Sequence, residues 1–115
     1  MIQITPQMKI FIAVKPIDFR NQHDGIGGII KSILLNDPLS GAVFVFSNKR
    51  KNGIKMLFFD GQGMWLCHKR LSQGRLSWWP KSNEEATSLD ARNLHILLWN
   101  GNLDKIKLGQ NWKKI

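Results

Sequence analysis

The chain has 115 residues, 43% hydrophobic and 22% charged, long enough to fold as one domain around its own core without staples. Its 17 Lys and Arg against 8 Asp and Glu give a formal net charge of +9, an excess that attracts phosphates or anionic lipid heads and says nothing about fold. A single cysteine, Cys67, excludes an internal disulfide, and no apolar run approaches the roughly 18–20 residues that span a bilayer. The expectation is a cytoplasmic protein in a reducing compartment, with no membrane partner.

Residues 1–8 read as a lead-in, with Pro6 opposing regular structure. Lys9 to Val14 is predicted as a buried strand closed by Pro16. Its apolar part is too short, and too closely flanked by Lys9 and Lys15, to be a secretory leader. From Asp24 the period changes. Ile26, Ile29, Ile30, Ile33 and Leu34 fall at helical spacing, with Asp24 or Asn21 as the cap and Asp37-Pro38 as the stop. Gly25, Gly27 and Gly28 each cost such a helix ~1 kcal/mol relative to Ala, which points to a close backbone approach to a strand.

Leu39-Ser40-Gly41 turns the chain into Ala42 to Phe46, apolar on both faces and therefore placed centrally in a sheet. Ile54 to Phe59 and Met64 to His68 follow as strands. Leu76 to Trp79 reads as a short last strand ended by Pro80, and Lys81 to Thr87 as a polar loop. A second helix is expected from Ser88, turning Leu94, Leu97 and Leu98 inward and closing at Asn100-Gly101. Residues 1–104 then form one domain and 105–115 a basic tail, in which Trp112 docks on the domain or meets a partner. The predicted class is α+β: a mainly antiparallel meander of about five strands packed by two helices.

Function centres on Phe44 to Arg75. Three strands joined by short loops pair as a meander, which brings alternate loops to the same end of the sheet. Lys49, Arg50 and Lys51 of the first loop therefore meet Lys69 and Arg70 of the third, with Lys55 and Arg75 near the flanking strand ends. Asp60-Gly61-Gln62-Gly63 falls at the opposite end and holds the only carboxylate of the stretch. Cations focused on one edge in this way make a polyanion-binding surface. Trp65, Trp78 and Trp79 lie within or beside it. Aromatics among cations stack bases or wedge a duplex, although each tryptophan taken singly is better explained as core. Neighbours on a strand face opposite ways, so one of Trp78 and Trp79 is expected to face outwards.

Catalysis has little support in the residues. Asp24, Asp37, Asp60 and Asp90 suit caps and turns, and pairing Asp18 with Asp60 around a metal ion is the weaker reading. His23, His68 and His95 are scattered, and no paired ligand spacing suggests zinc. The glycines near residue 25 lack the Gly-Lys-Ser/Thr ending of a phosphate loop. No enzyme activity, cofactor, metal or small-molecule substrate is expected.

Further pieces taken in order carry a resemblance: Asp18-Phe19-Arg20, Asp24-Gly25-Ile26, Asp37-Pro38-Leu39-Ser40-Gly41, Phe44-Val45-Phe46, Asn48-Lys49-Arg50, Ile54-Lys55, Asp60-Gly61-x-Gly63, Lys69-Arg70-Leu71, Gly74-Arg75, Trp79-Pro80 and Leu94-x-x-Leu97-Leu98-x-x-Gly101. Over roughly residues 9–104 the chain resembles the TnpB (second open reading frame) accessory protein of the IS66 type of bacterial insertion sequence. It departs from that pattern at Asn21, Ser72 and Asn52-Gly53. The resemblance implies an accessory protein that works alongside a separate transposase, which performs the strand chemistry. The matched cations are Arg20, Lys49, Arg50, Lys55, Lys69, Arg70 and Arg75.

The expectation is therefore non-catalytic DNA binding in support of transposition, at the insertion-sequence ends or in an assembly with the transposase. Arg20, Lys49, Arg50, Lys51, Lys55, Lys69, Arg70 and Arg75 are the contact residues. The alternative is an adaptor that recruits the transposase with little DNA contact, using Phe58-Phe59, Trp78-Trp79 and Trp112 as a protein interface. RNA binding through exposed aromatics is a third reading that the sequence does not separate from DNA binding.

Overall fold

Five strands pair into one mixed sheet in the computed structural model, which describes residues 5–105. In chain order the elements are β1 (Ile10–Ala13), α1 (His23–Ser32), β2 (Val43–Ser47), β3 (Gly53–Phe59), β4 (Met64–Arg70), β5 (Ala86–Leu89) and α2 (Ala91–Leu98). The strand order is β4-β3-β2-β1-β5.

The β2-β3-β4 half is the expected meander, with Val45 opposite Met56 and Met56 opposite Cys67. The other half is not a meander. β1 runs parallel to β2, Ile10 opposite Val43, because the segment carrying α1 returns the chain to the same end of the sheet, the crossover that a parallel pair requires. β5 adds antiparallel to the far edge of β1, Ile10 opposite Leu89. The class is α+β, and the sheet is mostly antiparallel.

Alternation along the strands divides the core between two faces. Ala13, Phe44, Phe46 and Leu57 face α1 and bury its Ile26 and Ile30. Ile10, Ile12, Val43, Val45, Ile54, Met56 and Phe58 face the other way, onto Leu94 and Leu97 of α2 and the half-buried Leu76, Trp78 and Trp79. β2 is buried along its whole length, as its two-sided apolar sequence predicts.

Several local expectations are corrected. α1 ends at Ser32, so Ile33 caps it half-exposed and Leu35 turns away at φ +52°. Its N-cap is Gln22, with no side-chain bond. Added Cβ atoms at Gly27 and Gly28 would meet nothing within 4 Å, and at Gly25 the neighbour is the Asn21 side chain. No strand presses on these glycines. Leu76 to Trp79 is not a strand, whereas Ala86–Leu89, inside and just past the expected loop, is. α2 begins later than Ser88: Asp90 is its N-cap and accepts from the Asn93 N–H at 2.7 Å. Most of the tail, Trp112 included, lies outside the described residues.

Candidate nucleic-acid interface

Two loops meet at the sheet end where Gly53 pairs with Arg70. The β2–β3 loop is built around Asn48. Its Oδ1 accepts from the N–H groups of Asn52 (3.0 Å) and Gly53 (3.1 Å), and its Nδ2 donates to Asn52 Oδ1 at 2.6 Å. The Lys51 N–H closes the turn onto the Asn48 carbonyl at 3.1 Å, and Lys51 itself takes φ +57°. The segment after β4 is laced to this loop: Leu71 N–H donates to the Asn52 carbonyl at 2.8 Å and Leu76 N–H to the Lys51 carbonyl at 2.6 Å. The convergence expected from the meander is therefore present, on a hydrogen-bonded frame.

The cations on this frame fall into three groups. Lys49, Arg50, Arg70 and Arg75 are exposed. None of them has a carboxylate partner among the described residues, where the ion pairs are Lys15–Glu85 and Arg20–Asp18.

Arg20, Lys51 and Lys69 are partly committed to the fold. Arg20 donates through Nε (2.9 Å) and Nη2 (2.6 Å) to Asp18 Oδ2, a two-pronged pair that offsets its charge. Those bonds, then the Arg20 N–H and the nearby charges of Arg20 and Lys49, hold the Asp18 carboxyl down at about 2. Lys51 donates to Ser47 Oγ at 3.0 Å with its ammonium 5.4 Å from the Trp79 ring, and burial pushes its pKa down. Lys69 donates to the Leu98 carbonyl at the end of α2, with its ammonium 5.4 Å from the Trp99 ring.

Lys55 corrects the expectation that every cation of the stretch is available to a phosphate. It is only 1% exposed. Alternation sets it on the α1 face between Phe46 and His68. Its ammonium donates to the carbonyls of Phe19 (2.8 Å) and Asn21 (2.9 Å) and lies 5.1 Å from the Phe19 ring. Burial lowers its pKa, with Asp18 acting in the opposite direction. Lys55 is an internal tie that holds the segment from Asp18 to Asn21 against the sheet. Between that segment and the β2–β3 loop lies an open groove of about 480 Å³, lined by Ile17, Asp18, Phe19, Arg20, Asn48, Lys49 and Arg50.

The tryptophans differ from expectation as well. Trp78 and Trp79 are both half-buried against the α2-side core, and Trp79 Nε1 donates to the Ala13 carbonyl at 2.9 Å. Strand alternation does not apply to them, since Ser77 is held by Asn100 rather than by a β partner. Trp65 sits at the far end of the sheet, donating to Asp60 Oδ2 at 2.7 Å. Sequence reasoning passed over Trp99, which is 84% exposed beside Lys69. The available signal was its position, just outside the Leu94-Leu97-Leu98 stripe and one residue before the Asn100-Gly101 helix end.

The acids do not gather. Asp18 lies at the cationic end and Asp60 in the β3–β4 turn at the opposite end, where its carboxylate accepts from the Gln62 and Gly63 N–H groups. Among the described residues no group of three or more His, Cys, Asp or Glu side chains is placed to hold a metal ion. No helix among them is long and apolar enough to cross a membrane.

Fold and site together define a small basic α+β domain that brings Lys49, Arg50, Arg70 and Arg75, all without a carboxylate partner among the described residues, to one end of a mixed sheet. The chain belongs to the IS66 Orf2-like family, whose model matches residues 8–107, and so to the accessory proteins of insertion-sequence transposition. It is similar to two proteins of Sinorhizobium fredii (strain NBRC 101917 / NGR234), both described as uncharacterized. One, y4jC, is 36% identical over 80 residues, covering 70% of this chain and 68% of its own. The other, y4hO, is 30% identical over 98 residues, covering 85% and 84%. No solved structure matches the chain significantly.

Proposed function

We propose that this protein supports transposition by binding DNA through the cationic end of its sheet, without performing strand chemistry itself. The observation that carries the reading is the frame of two laced loops presenting Lys49, Arg50, Arg70 and Arg75. Such cations meet phosphates, which position a protein on DNA and make its affinity salt-dependent. Arg20 and Lys69 stand at the margins of this surface, Lys51 is mostly committed to Ser47 and Trp79, and Lys55 lies beneath it. The groove beside Lys49 and Arg50 gives the surface relief as well as charge. The partners of this reading are the DNA of the element and its separate transposase, in the cytoplasm, with no cofactor.

The test is binding to insertion-sequence end DNA and to a scrambled duplex of equal length across a salt series. A steep slope with tighter binding to the end DNA marks a specific end-binding factor, and equal binding marks a non-specific clamp. No binding at moderate salt removes the reading.

An adaptor role has one observation in its favour: Ile33, Leu35 and Leu39, around the end of α1, are 49%, 82% and 54% exposed. Capture of the transposase that survives nuclease treatment and charge reversal of Lys49, Arg50 and Arg70 favours that role instead.

A further inference from the structure

We infer that Trp99 is a base-stacking residue and that the DNA bound by this surface includes unpaired bases, as at a frayed or single-stranded end. The inference rests on the proposed DNA binding and adds to it the kind of DNA.

Trp99 is the C-cap of α2 and is 84% exposed, a degree of exposure that an indole adopts against the hydrophobic effect. Its backbone is held in place. The helix ends in a left-handed cap, with Asn100 at φ +60°, its N–H donating to the Leu97 carbonyl at 2.9 Å and the Gly101 N–H donating to the Ile96 carbonyl at 2.8 Å. Gly101 is required there, because an added Cβ would stand 2.9 Å from the Ile96 carbonyl oxygen.

A cation stands beside Trp99. Lys69 lies 5.4 Å from the ring centroid while bonded to the carbonyl of the preceding Leu98. The following residue, Asn100, donates through Nδ2 to the Arg75 carbonyl at 3.3 Å and accepts from the Ser77 N–H at 2.8 Å. The ring therefore stands at the corner where β4, the Arg75 loop and α2 meet. An exposed indole on a fixed backbone position, with a lysine ammonium beside its ring, is an arrangement that takes a base on its free face and a phosphate nearby. An apolar protein partner would cover the Lys69 ammonium beside the ring without offering it an anion, so nucleic acid is the better fit.

The experiment compares a flush duplex with the same duplex carrying a single-stranded extension, both labelled, against the wild type, Trp99→Ala, Trp99→Phe and Leu35→Ala. The expected result is a wild-type preference for the extended DNA. Trp99→Ala reduces that preference by roughly five- to a hundred-fold, the range expected on removing one base–aromatic stack, and Trp99→Phe restores part of it. Duplex affinity and the Leu35→Ala control stay at the wild-type level. Wild-type binding to both DNAs without preference overturns the stacking role while leaving the DNA-binding reading intact. So does a preference that survives in Trp99→Ala. Absence of binding to either DNA overturns both readings.

Discussion

Lys55 and Phe19 are joined twice, although 36 residues separate them. The lysine ammonium donates to the phenylalanine carbonyl at 2.8 Å and lies 5.1 Å from its ring. Phe19 in turn rests edge-on against His68, the cross-strand neighbour of Lys55, with ring centroids 5.3 Å apart. A Cβ at Gly53 would come within 3.0 Å of the Phe19 ring. One internal lysine thus fixes one wall of the groove at the cationic end.

Lys55→Met removes the donor of two carbonyls and is expected to cost about 2 kcal/mol of folding stability in urea titrations. It leaves the salt slope of DNA binding by the folded protein unchanged. His68 provides an internal check. Burial, then Lys55 and Arg70, pull its pKa below 6.5, so stability is full above that value and declines as pH falls through the folded one. Without the Lys55 charge the His68 midpoint, read by NMR, moves upward. A shallower salt slope in Lys55→Met contradicts its assignment as an internal tie.

Asp18 has a folded pKa of about 2 against an ordinary 3.8. A carboxyl depressed in this way contributes stability that is fully present above 3.8 and is lost as pH falls from there through about 2. Between about pH 5 and about pH 2.5 the wild type should therefore lose more stability than Asp18→Asn. At neutral pH the same substitution releases the Arg20 guanidinium. Binding to DNA should tighten, and its salt slope steepen by about one. Weaker binding by Asp18→Asn would contradict the pairing of Arg20 as the brake on its own phosphate contact.

Asn100 joins α2 to the Arg75 loop. Asn100→Gly preserves the left-handed backbone and removes the side-chain bonds to Ser77 and Arg75, at an expected cost of about 1–2 kcal/mol. Asn100→Ala adds roughly a further 1 kcal/mol for the left-handed conformation. Thermal or urea melts of the two variants separate the contributions. Equal stability of wild type and Asn100→Gly would show that the loop is held without the side chain.

The parts of this fold legible in the sequence are those set by local pattern. Asp60-Gly61 and the alternation of Ile54 to Phe59 specify the β3–β4 hairpin, and the hairpins together bring the basic loops to one end. The parts that were illegible depend on distant partners. Ala86–Leu89 is four residues of weakly apolar edge strand, defined by pairing with β1. Leu76 to Trp79 has the composition of a strand, but Asn100 takes the Ser77 N–H and Ala13 takes the Trp79 indole N–H. In the site, the exposed loop cations follow from loop position, whereas the burial of Lys55 depends on a segment 36 residues earlier. The exposure of Trp99 follows from where α2 stops, set by the Asn100 cap.

The most direct measurement is the salt dependence of DNA binding by the wild type and by the combined variant Lys49→Ala, Arg50→Ala, Arg70→Ala and Arg75→Ala, with urea melts of both. Unchanged melts, much weaker binding and a log–log slope reduced by about 3 to 4 are predicted, since each phosphate left without its cation lowers the slope by about 0.9. An unaltered slope and affinity in a folded variant would show that the cationic end of the sheet is not where DNA binds.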